Sequence, residues 1–331
     1  MKVCIIGGSG HYGYVLESLG SNIDIDVVGI APGSPGENVD TVLLGLNKRG
    51  YCPVKFDDYI KMLDDLKPDI AVVNCYFGDH AKVAVQVVKR GIHIFVEKPV
   101  ATNLTDLKML KDAFYASGVQ LCGMFAIRYD PCFYTAWEVV KKGFIGNIRM
   151  MSAQKSYKLG TRSSFYKKRS TYGGTIPWVG SHAVDWLHWF SGRKFHSVYA
   201  SHSVKDNRDN GELEMSAMCQ FTLEDEIFAS VSIDYLRPAN APTHGDDRIR
   251  IAGTEGVIEV RGGKAYLIDS KVKGEQELEL VMPGRIFDDF VKQVRGEGKC
   301  LVSAEDTFIA TEACLRAVIS ADEKRIVYFD E

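Results

Sequence analysis

The chain has 331 residues, 46% of them hydrophobic and 25% charged, with a formal net charge of −3, the composition of a globular protein long enough for two domains. The small negative charge and the short basic run Lys167-Lys168-Arg169 exclude an electrostatic nucleic-acid surface, and no apolar stretch approaches the length of a membrane span. Eight cysteines (Cys4, Cys52, Cys75, Cys122, Cys132, Cys219, Cys300, Cys314) lie scattered without a CxxC pair, which suits reduced thiols rather than a disulfide frame or a zinc site, and the expectation is a soluble cytoplasmic protein.

In chain order, Val3 to Ile6 reads as a buried strand that runs into Gly7-Gly8-Ser9-Gly10-His11-Tyr12-Gly13, followed by a helix-compatible segment. Gly8-Ser9-Gly10-His11-Tyr12-Gly13 fits GxGxxG in the strand-turn-helix setting that the motif requires. The first two glycines permit a tight turn and close approach of backbone to a pyrophosphate, the third lets helix and strand pack closely, and the helix N-terminus favours negative charge. Each of these residues is therefore a candidate for a dinucleotide site. The second strand, Ile25 to Ile30, is followed by Ala31 where an NAD site places an acid on the ribose 2′-hydroxyl. Loss of the carboxylate removes repulsion against a 2′-phosphate, and Ser34 offers a donor to one, although no arginine lies in the loop; Glu37 is the alternative acid that would retain NAD. The expected cofactor is NAD or NADP, with a lean to NADP.

Ile70 to Val73 and Ile92 to Val96 are further strands, His80 to Lys89 and Asn103 to Ala116 carry apolar residues at helical spacing, and Val119 to Cys122 ends the alternation. This rhythm predicts a parallel sheet covered on both faces. The run Ile92 to Val96 ends on Glu97-Lys98-Pro99, which places Lys98 at the sheet edge where open α/β folds bind ligands. A lysine there can reach a substrate hydroxyl, and its ordinary pKa of about 10.4 has to fall for acid–base work near neutrality, through partial burial or a neighbouring cation. In isolation the tripeptide would read as a solvated lysine and a strand-ending proline; the glycine loop makes it a candidate site.

Beyond residue 122 the rhythm changes. A helix from Pro131 to Lys142 and a strand from Ile148 to Ser156 lead to a basic and aromatic segment, Tyr157 to Tyr172, and then to a helix from Ser181 to Phe190. Strand patterns follow at Phe195 to Ser203, Glu214 to Thr222, Ile227 to Tyr235, Arg248 to Ala252, Val257 to Val260 and Ala265 to Ile268. Consecutive strands without intervening helices predict a largely antiparallel sheet, and helices at Ile286 to Val294 and Ser303 to Ser320 are expected to cover part of it. The expected division is 1–122 and 123–331.

Gly8 to Gly13, Gly91-Ile92-His93-Ile94-Phe95-Val96-Glu97-Lys98-Pro99 and Arg128-Tyr129-Asp130-Pro131 together resemble the Gfo/Idh/MocA family of nicotinamide-dependent oxidoreductases. The likeness covers nearly the whole chain, through Gly173-Gly174, Gly180-Ser181-His182-Ala183-Val184-Asp185, Gly253-Thr254-Glu255-Gly256 and Ser303-Ala304-Glu305-Asp306. It implies an α/β protein with an N-terminal Rossmann doubly wound parallel sheet and a C-terminal α+β domain with a large, mostly antiparallel open sheet, whose face makes homodimer or homotetramer contacts. It also implies a cis Lys98–Pro99 bond, Glu97 near the nicotinamide ribose, and Cys75, His80, Lys98 and Arg128 along the cofactor. Lys98, His182 and Asp185 are implied as catalytic, and Lys98, Tyr166, Arg169, Trp178 and His182 as substrate contacts.

The family's pattern of two glycines, an aspartate and a histidine four residues later is broken here, because Trp178 stands where the aspartate belongs. An indole donates one hydrogen bond and stacks on a sugar face but accepts no proton, so Lys98 is left to act with His182 or nearly alone. The basic segment around Lys167 reads most simply as solvated, although an acidic sugar or phosphorylated polyol would suit it, and His244 is a further residue within conceivable reach of the pocket. The predicted function is reversible hydride transfer between NAD(P) and a secondary alcohol of a sugar, polyol or related small molecule. Two alternatives stay open: glycosidic-bond cleavage through transient oxidation, and a non-catalytic dinucleotide-sensing regulator.

Overall fold

The computed structural model describes residues 1–20 and 24–330. The chain divides into two compact units, Met1–Ala126 with Ser170–Gly173 and Gly284–Thr311, and Ile127–Arg169 with Gly174–Pro283 and Glu312–Glu331. The chain leaves the first unit after Ala126 and returns to it twice, at Ser170–Gly173 and at Gly284–Thr311.

In the first unit, β1 (Lys2–Ile6), β2 (Asp26–Ala31), β3 (Val54–Lys55), β4 (Ile70–Val73), β5 (His93–Val96) and β6 (Leu121–Gly123) form a sheet in the order β3-β2-β1-β4-β5-β6. Every pairing is parallel. The central strands are buried on both faces, which explains their continuous apolar runs. Strand order reverses between β1 and β4, so the glycine loop, Asn74 and Glu97-Lys98 all leave the sheet at the carboxyl edge beside that switch point. The Lys98–Pro99 bond is cis. β3 had no apolar run to announce it, since both of its residues are exposed.

One expectation is overturned here. Helix Ile286–Val294 covers the parallel sheet, not the antiparallel one: Phe287 and Phe290 place their rings 5.0 and 5.6 Å from Phe95 of β5. The following helix, Ala304–Glu323, begins against the same sheet, where Thr307 Oγ1 accepts a hydrogen bond from Gly123 N at 3.0 Å. The apolar stripe of the first helix matches the aromatic surface that Phe95 presents.

In the second unit, the described residues form a sheet of nine strands: β7 (Ile148–Tyr157), β8 (Phe195–Ser203), β9 (Ser216–Leu223), β10 (Ile227–Asp234), β11 (Gly245–Gly253), β12 (Gly256–Arg261), β13 (Lys264–Asp269), β14 (Gln276–Glu277) and β15 (Val327–Tyr328). The order is β14-β13-β12-β11-β7-β10-β9-β8-β15, antiparallel except where β7 meets β10. Burial alternates along the strands, so Met151, Ala153 and Lys155 point inward while Met150 and Ser152 point out. Helices Pro131–Lys141 and Ser181–Ser191 cover the inward face, the first capped by Asp130, whose carboxylate accepts from Cys132 N and Phe133 N.

Candidate cofactor and active site

The glycine loop is held between the ends of β2 and β4. Gly7 N donates to Ala31 O at 2.8 Å, and Ser9 N and Gly10 N both donate to Asn74 O, at 2.8 and 3.2 Å. Gly7 has φ +90°, and a Cβ there would fall inside the backbone of Cys75. A Cβ on Gly10 would lie 2.8 Å from both Asn74 Oδ1 and Glu97 Cγ, and one on Gly8 3.0 Å from Asn38 O. Around Gly13 no atom lies within 4 Å of such a Cβ. The role expected of the third glycine, close packing of helix on strand, is thus not needed here; the tightest approach belongs to Gly7, one residue before the motif.

Glu97 follows β5 and is fully buried. Its Oε2 accepts from the backbone N–H of His11 and lies 2.8 Å from His11 Nδ1, while Oε1 accepts from Lys98 N at 2.9 Å. Burial alone would raise its pKa, but the charge and hydrogen bonds of His11 and the charge of Lys98 outweigh that and hold it below the ordinary carboxylate range. Lys98 is 3% exposed and comes next in the chain, so its position is fixed by a carboxylate that also grips the glycine loop. His11 is exposed and stacks on Tyr14 at 5.7 Å, and Tyr12 precedes the helix Gly13–Ser18.

Where Ala31 leaves β2 without an acid, Glu37 supplies one. Its Oε1 accepts from Gly8 N at 2.9 Å and Ser9 Oγ at 2.5 Å, and its Oε2 from Gly33 N at 3.0 Å and Ser34 N at 3.2 Å. Ser34, expected to donate to a 2′-phosphate, instead donates to Asp79 at 2.7 Å and accepts from Tyr76 N at 3.1 Å. Its hydroxyl is engaged within the fold. Cys75 is buried, and burial together with Glu37 and Asp79 pushes its thiol well above the ordinary range, which keeps it protonated and unreactive.

His80 corrects an expectation. It is fully buried with Nδ1 2.8 Å from Pro99 O and Nε2 3.0 Å from Cys75 O, so its ring braces the loop after β4 against the turn after Lys98 rather than facing a cofactor. Burial pushes its pKa down, against the pull of those carbonyls. Sequence reasoning missed Asn74: its side-chain amide is completely buried beneath Gly10 and has no hydrogen-bond partner among the described residues. A polar residue directly after the apolar run of β4 was the available signal.

In the second unit, Arg128 and Asp185 were expected at the cofactor and in catalysis respectively, and they pair with each other. Arg128 Nε and Nη2 donate to the two carboxylate oxygens at 2.9 and 2.5 Å, both residues are buried, and the guanidinium also lies 5.4 Å from the Trp189 ring. This is a bidentate ion pair of the kind that fixes elements. Arg169, expected at the substrate, is likewise engaged, by Glu214 at 2.6 Å and Asp322 at 2.7 Å. Trp178 lies in a π-helical turn, Ile176–Gly180, that runs into helix Ser181–Ser191, with His182 buried on the first turn of that helix. Tyr166 packs on Trp178 at 6.2 Å between ring centres. Tyr172, from the same aromatic segment, belongs to the first unit and is buried with its ring 6.5 Å from Phe77.

The first unit thus fits a nicotinamide dinucleotide: a glycine loop at a sheet switch point where side chains cannot stand, a carboxylate from the loop after β2, and an unsatisfied buried amide under the glycine loop. Among the described residues no cluster of His, Cys, Asp or Glu could hold a metal ion, and no helix is long and apolar enough to cross a membrane.

Residues 1–124 match the oxidoreductase family with an NAD-binding Rossmann fold, and residues 133–259 match the GFO/IDH/MocA C-terminal domain. A solved structure from Thermotoga maritima is 49% identical and superposes with a TM-score of 0.95 over 99% of this chain and 100% of its own. Myo-inositol 2-dehydrogenase of Thermotoga maritima is 24% identical over 288 residues, 83% of this chain and 84% of the relative. Levoglucosan dehydrogenase, solved with NADH and levoglucosan, is 17% identical with a TM-score of 0.84 over 100% of both chains and shares the fold. The chain spans 61% and 23% of the length of two further curated relatives. With both of its units matched, the chain belongs to the Gfo/Idh/MocA oxidoreductase family, as an NAD(P)-binding Rossmann domain followed by that family's C-terminal domain.

Proposed function

We propose that the protein is an NAD-dependent dehydrogenase that moves a hydride between the nicotinamide and a secondary alcohol of a sugar or polyol, with Lys98 taking or returning the hydroxyl proton. The observation that carries this reading is the seat of Lys98, buried at the carboxyl end of β5 directly after a carboxylate bonded to the glycine loop. When bound, the nicotinamide supplies the hydride chemistry. The chain supplies the rest. The side-chain-free glycine loop gives the pyrophosphate a close approach to its backbone, Glu97 fixes His11 and the Lys98 backbone, and Lys98 Nζ holds the proton at the substrate oxygen. His182 is the assisting acid–base group, Asp185 acts through Arg128 as a positioning residue, and Trp178 with Tyr166 offers an apolar wall to a sugar ring. Relatives named for inositol and levoglucosan support the substrate class, and the exposed face of the antiparallel sheet supports a homodimer or homotetramer.

Glu37 favours NAD over NADP and reverses the lean taken from Ala31. Its carboxylate stands in the loop after β2 on the N–H of Gly8, and a 2′-phosphate brought beside it would meet like charge. NADH is expected to bind about tenfold or more tightly than NADPH; equal binding would remove the preference.

The central test is Lys98→Met, assayed against a panel of inositols and hexoses beside fluorescence titration of NADH. Turnover is expected to fall by about 10² to 10⁴ while NADH affinity stays close to that of the parent protein. Undiminished turnover in the variant overturns the mechanism.

A further inference from the structure

In the second unit, buried and half-buried arginines are matched by carboxylates. Arg128 pairs with Asp185, Arg169 with Glu214 and Asp322, Arg237 with Asp246, Arg261 with Glu259 and Glu275, and Arg316 with Glu312. Arg162 is the exception. It is half-buried, yet it forms no ion pair among the described residues. Its one hydrogen bond runs from Nη2 to Lys158 O at 3.1 Å, and Nε is buried with no acceptor. Nη1 has no acceptor among the described residues either and, unlike Nε, is open to solvent. Two of the three nitrogens thus lack an acceptor, on a side chain that keeps its charge at any ordinary pH.

Aromatic rings hold this group in place without neutralising it. The guanidinium lies 4.6 Å from the centre of the Tyr235 ring and 5.5 Å from that of Tyr166. Both rings lead to the turn that carries Trp178 and runs on to His182. Tyr166 packs on Trp178, and Tyr235 is buried on the same side of the sheet as Ile233, against which Gly180 is pressed so closely that a Cβ added there would fall on Ile233 Cδ1. A second cation stands nearby in the chain. Lys158 is half-buried with no ion pair among the described residues, its ammonium donating to Ala241 O. The field of the two cations reaches a neighbour: burial, and then the charges of Arg162 and Lys158, hold His244 below its ordinary pKa against the pull of Asp247.

We infer that Arg162, supported by Lys158, is an anion-recognition residue of the proposed substrate site, and that the substrate carries a carboxylate or phosphate besides the alcohol through which it reacts. This rests on the hydride-transfer reading above and narrows its substrate class. An anionic oxygen supplies both the acceptor that Nη1 lacks and the charge that no side chain supplies, whereas a neutral hydroxyl supplies the first alone. Within the basic run 167–169, by contrast, Lys167 donates to Asp209 O and Arg169 is held by Glu214 and Asp322, so those two are engaged within the fold.

The test titrates the full-length protein, saturated with NADH so that no alcohol is oxidised, with D-glucose, D-glucuronate, glucose 6-phosphate and inorganic phosphate by calorimetry. At least one of the two anionic sugars is expected to bind about tenfold or more tightly than D-glucose, the scale of a hydrogen bond to a charged group. Arg162→Gln is expected to erase that preference while leaving the affinities for NADH and D-glucose unchanged, which a general loss of structure at the tyrosine rings would not do. Arg162→Lys is expected to keep part of the preference, because charge remains without the planar fork. Thermal unfolding verifies that both variants are folded. Neither anionic sugar outbinding D-glucose, a preference that survives in folded Arg162→Gln, or a parallel loss of NADH affinity overturns the inference. Inorganic phosphate binding as tightly as the anionic sugars assigns Arg162 to a free anion and removes the claim on the substrate. The two proposals fail separately. Oxidation of neutral polyols with a KM unaltered by Arg162→Gln removes anion recognition and leaves hydride transfer standing, whereas an Arg162-dependent preference in a protein that oxidises none of the sugars keeps anion recognition and removes hydride transfer.

Discussion

A side chain at position 7 would start inside the backbone of Cys75, at a φ of +90° that L residues rarely adopt, whereas a methyl group at position 13 would meet no atom within 4 Å. Gly7→Ala is therefore expected to lower the melting temperature and abolish NADH binding. Gly13→Ala, at the first position of a helix, is expected to keep binding and to raise stability by up to about 1 kcal/mol. Thermal unfolding with and without NADH compares the two, and equal losses would contradict this assignment. Glu97 adds a pH dependence. Its folded pKa lies below the unfolded value of about 4.3, so its contribution to stability is complete above that value and is lost as pH falls through the folded pKa. In urea titrations at stepped pH, Glu97→Gln should flatten the acid limb below about pH 4.3; an unaltered limb would mean that the His11–Glu97 contact contributes nothing. At this scale the sequence showed the glycine loop and Lys98 plainly, because both follow buried strands. It did not show that Asp185 and Arg128 are partners, since a bidentate pair 57 positions apart in the chain leaves no local pattern. Lys155 could have been read: it holds the same parity on β7 as Met151 and Ala153, and a lysine at core parity requires a buried partner.

Among the elements, helix Ile286–Val294 separates what periodicity reveals from what it leaves open. Its apolar stripe of Ile286, Phe287, Phe290 and Val291 announced the helix with the bounds observed, yet both sheets offer apolar faces and a stripe does not say which it will cover. The aromatic match to Phe95 decided it. Phe290→Ala is expected to destabilise the first unit by about 3 to 5 kcal/mol. Since Phe95 stands on the strand that ends in Glu97 and Lys98, the same change should weaken NADH binding in protein that remains folded. Urea unfolding followed by NADH fluorescence measures both, and a loss below about 1 kcal/mol would place the helix elsewhere. The π-helical turn at Ile176–Gly180 had no counterpart in the sequence pattern, because its spacing is not that of a helix or a strand.

For the molecule as a whole, the family pattern made both units and their order readable, and the antiparallel sheet could be inferred from strands that follow one another without helices. Which residues that sheet leaves bare became visible only with the register. Phe228 of β10 stands directly beside Met150 of β7, at 55% and 60% exposure, and Met218 of β9 adds a further 50% exposed side chain on the same sheet. The helices Pro131–Lys141 and Ser181–Ser191 cover the opposite face. A run of large apolar side chains on an open sheet is the kind of surface that proteins bury against a partner, and a second copy of this chain presents the same surface to itself. Light scattering is therefore expected to give a dimer or tetramer of the 36.8 kDa chain, and Met150→Glu with Phe228→Glu to shift it to the monomer. Both positions are exposed, so the two changes should alter the stability of the separated chain by no more than about 0.5 kcal/mol each. A parent protein that runs as a monomer, or a double variant that keeps the parent mass, would mean that this face is not where copies meet.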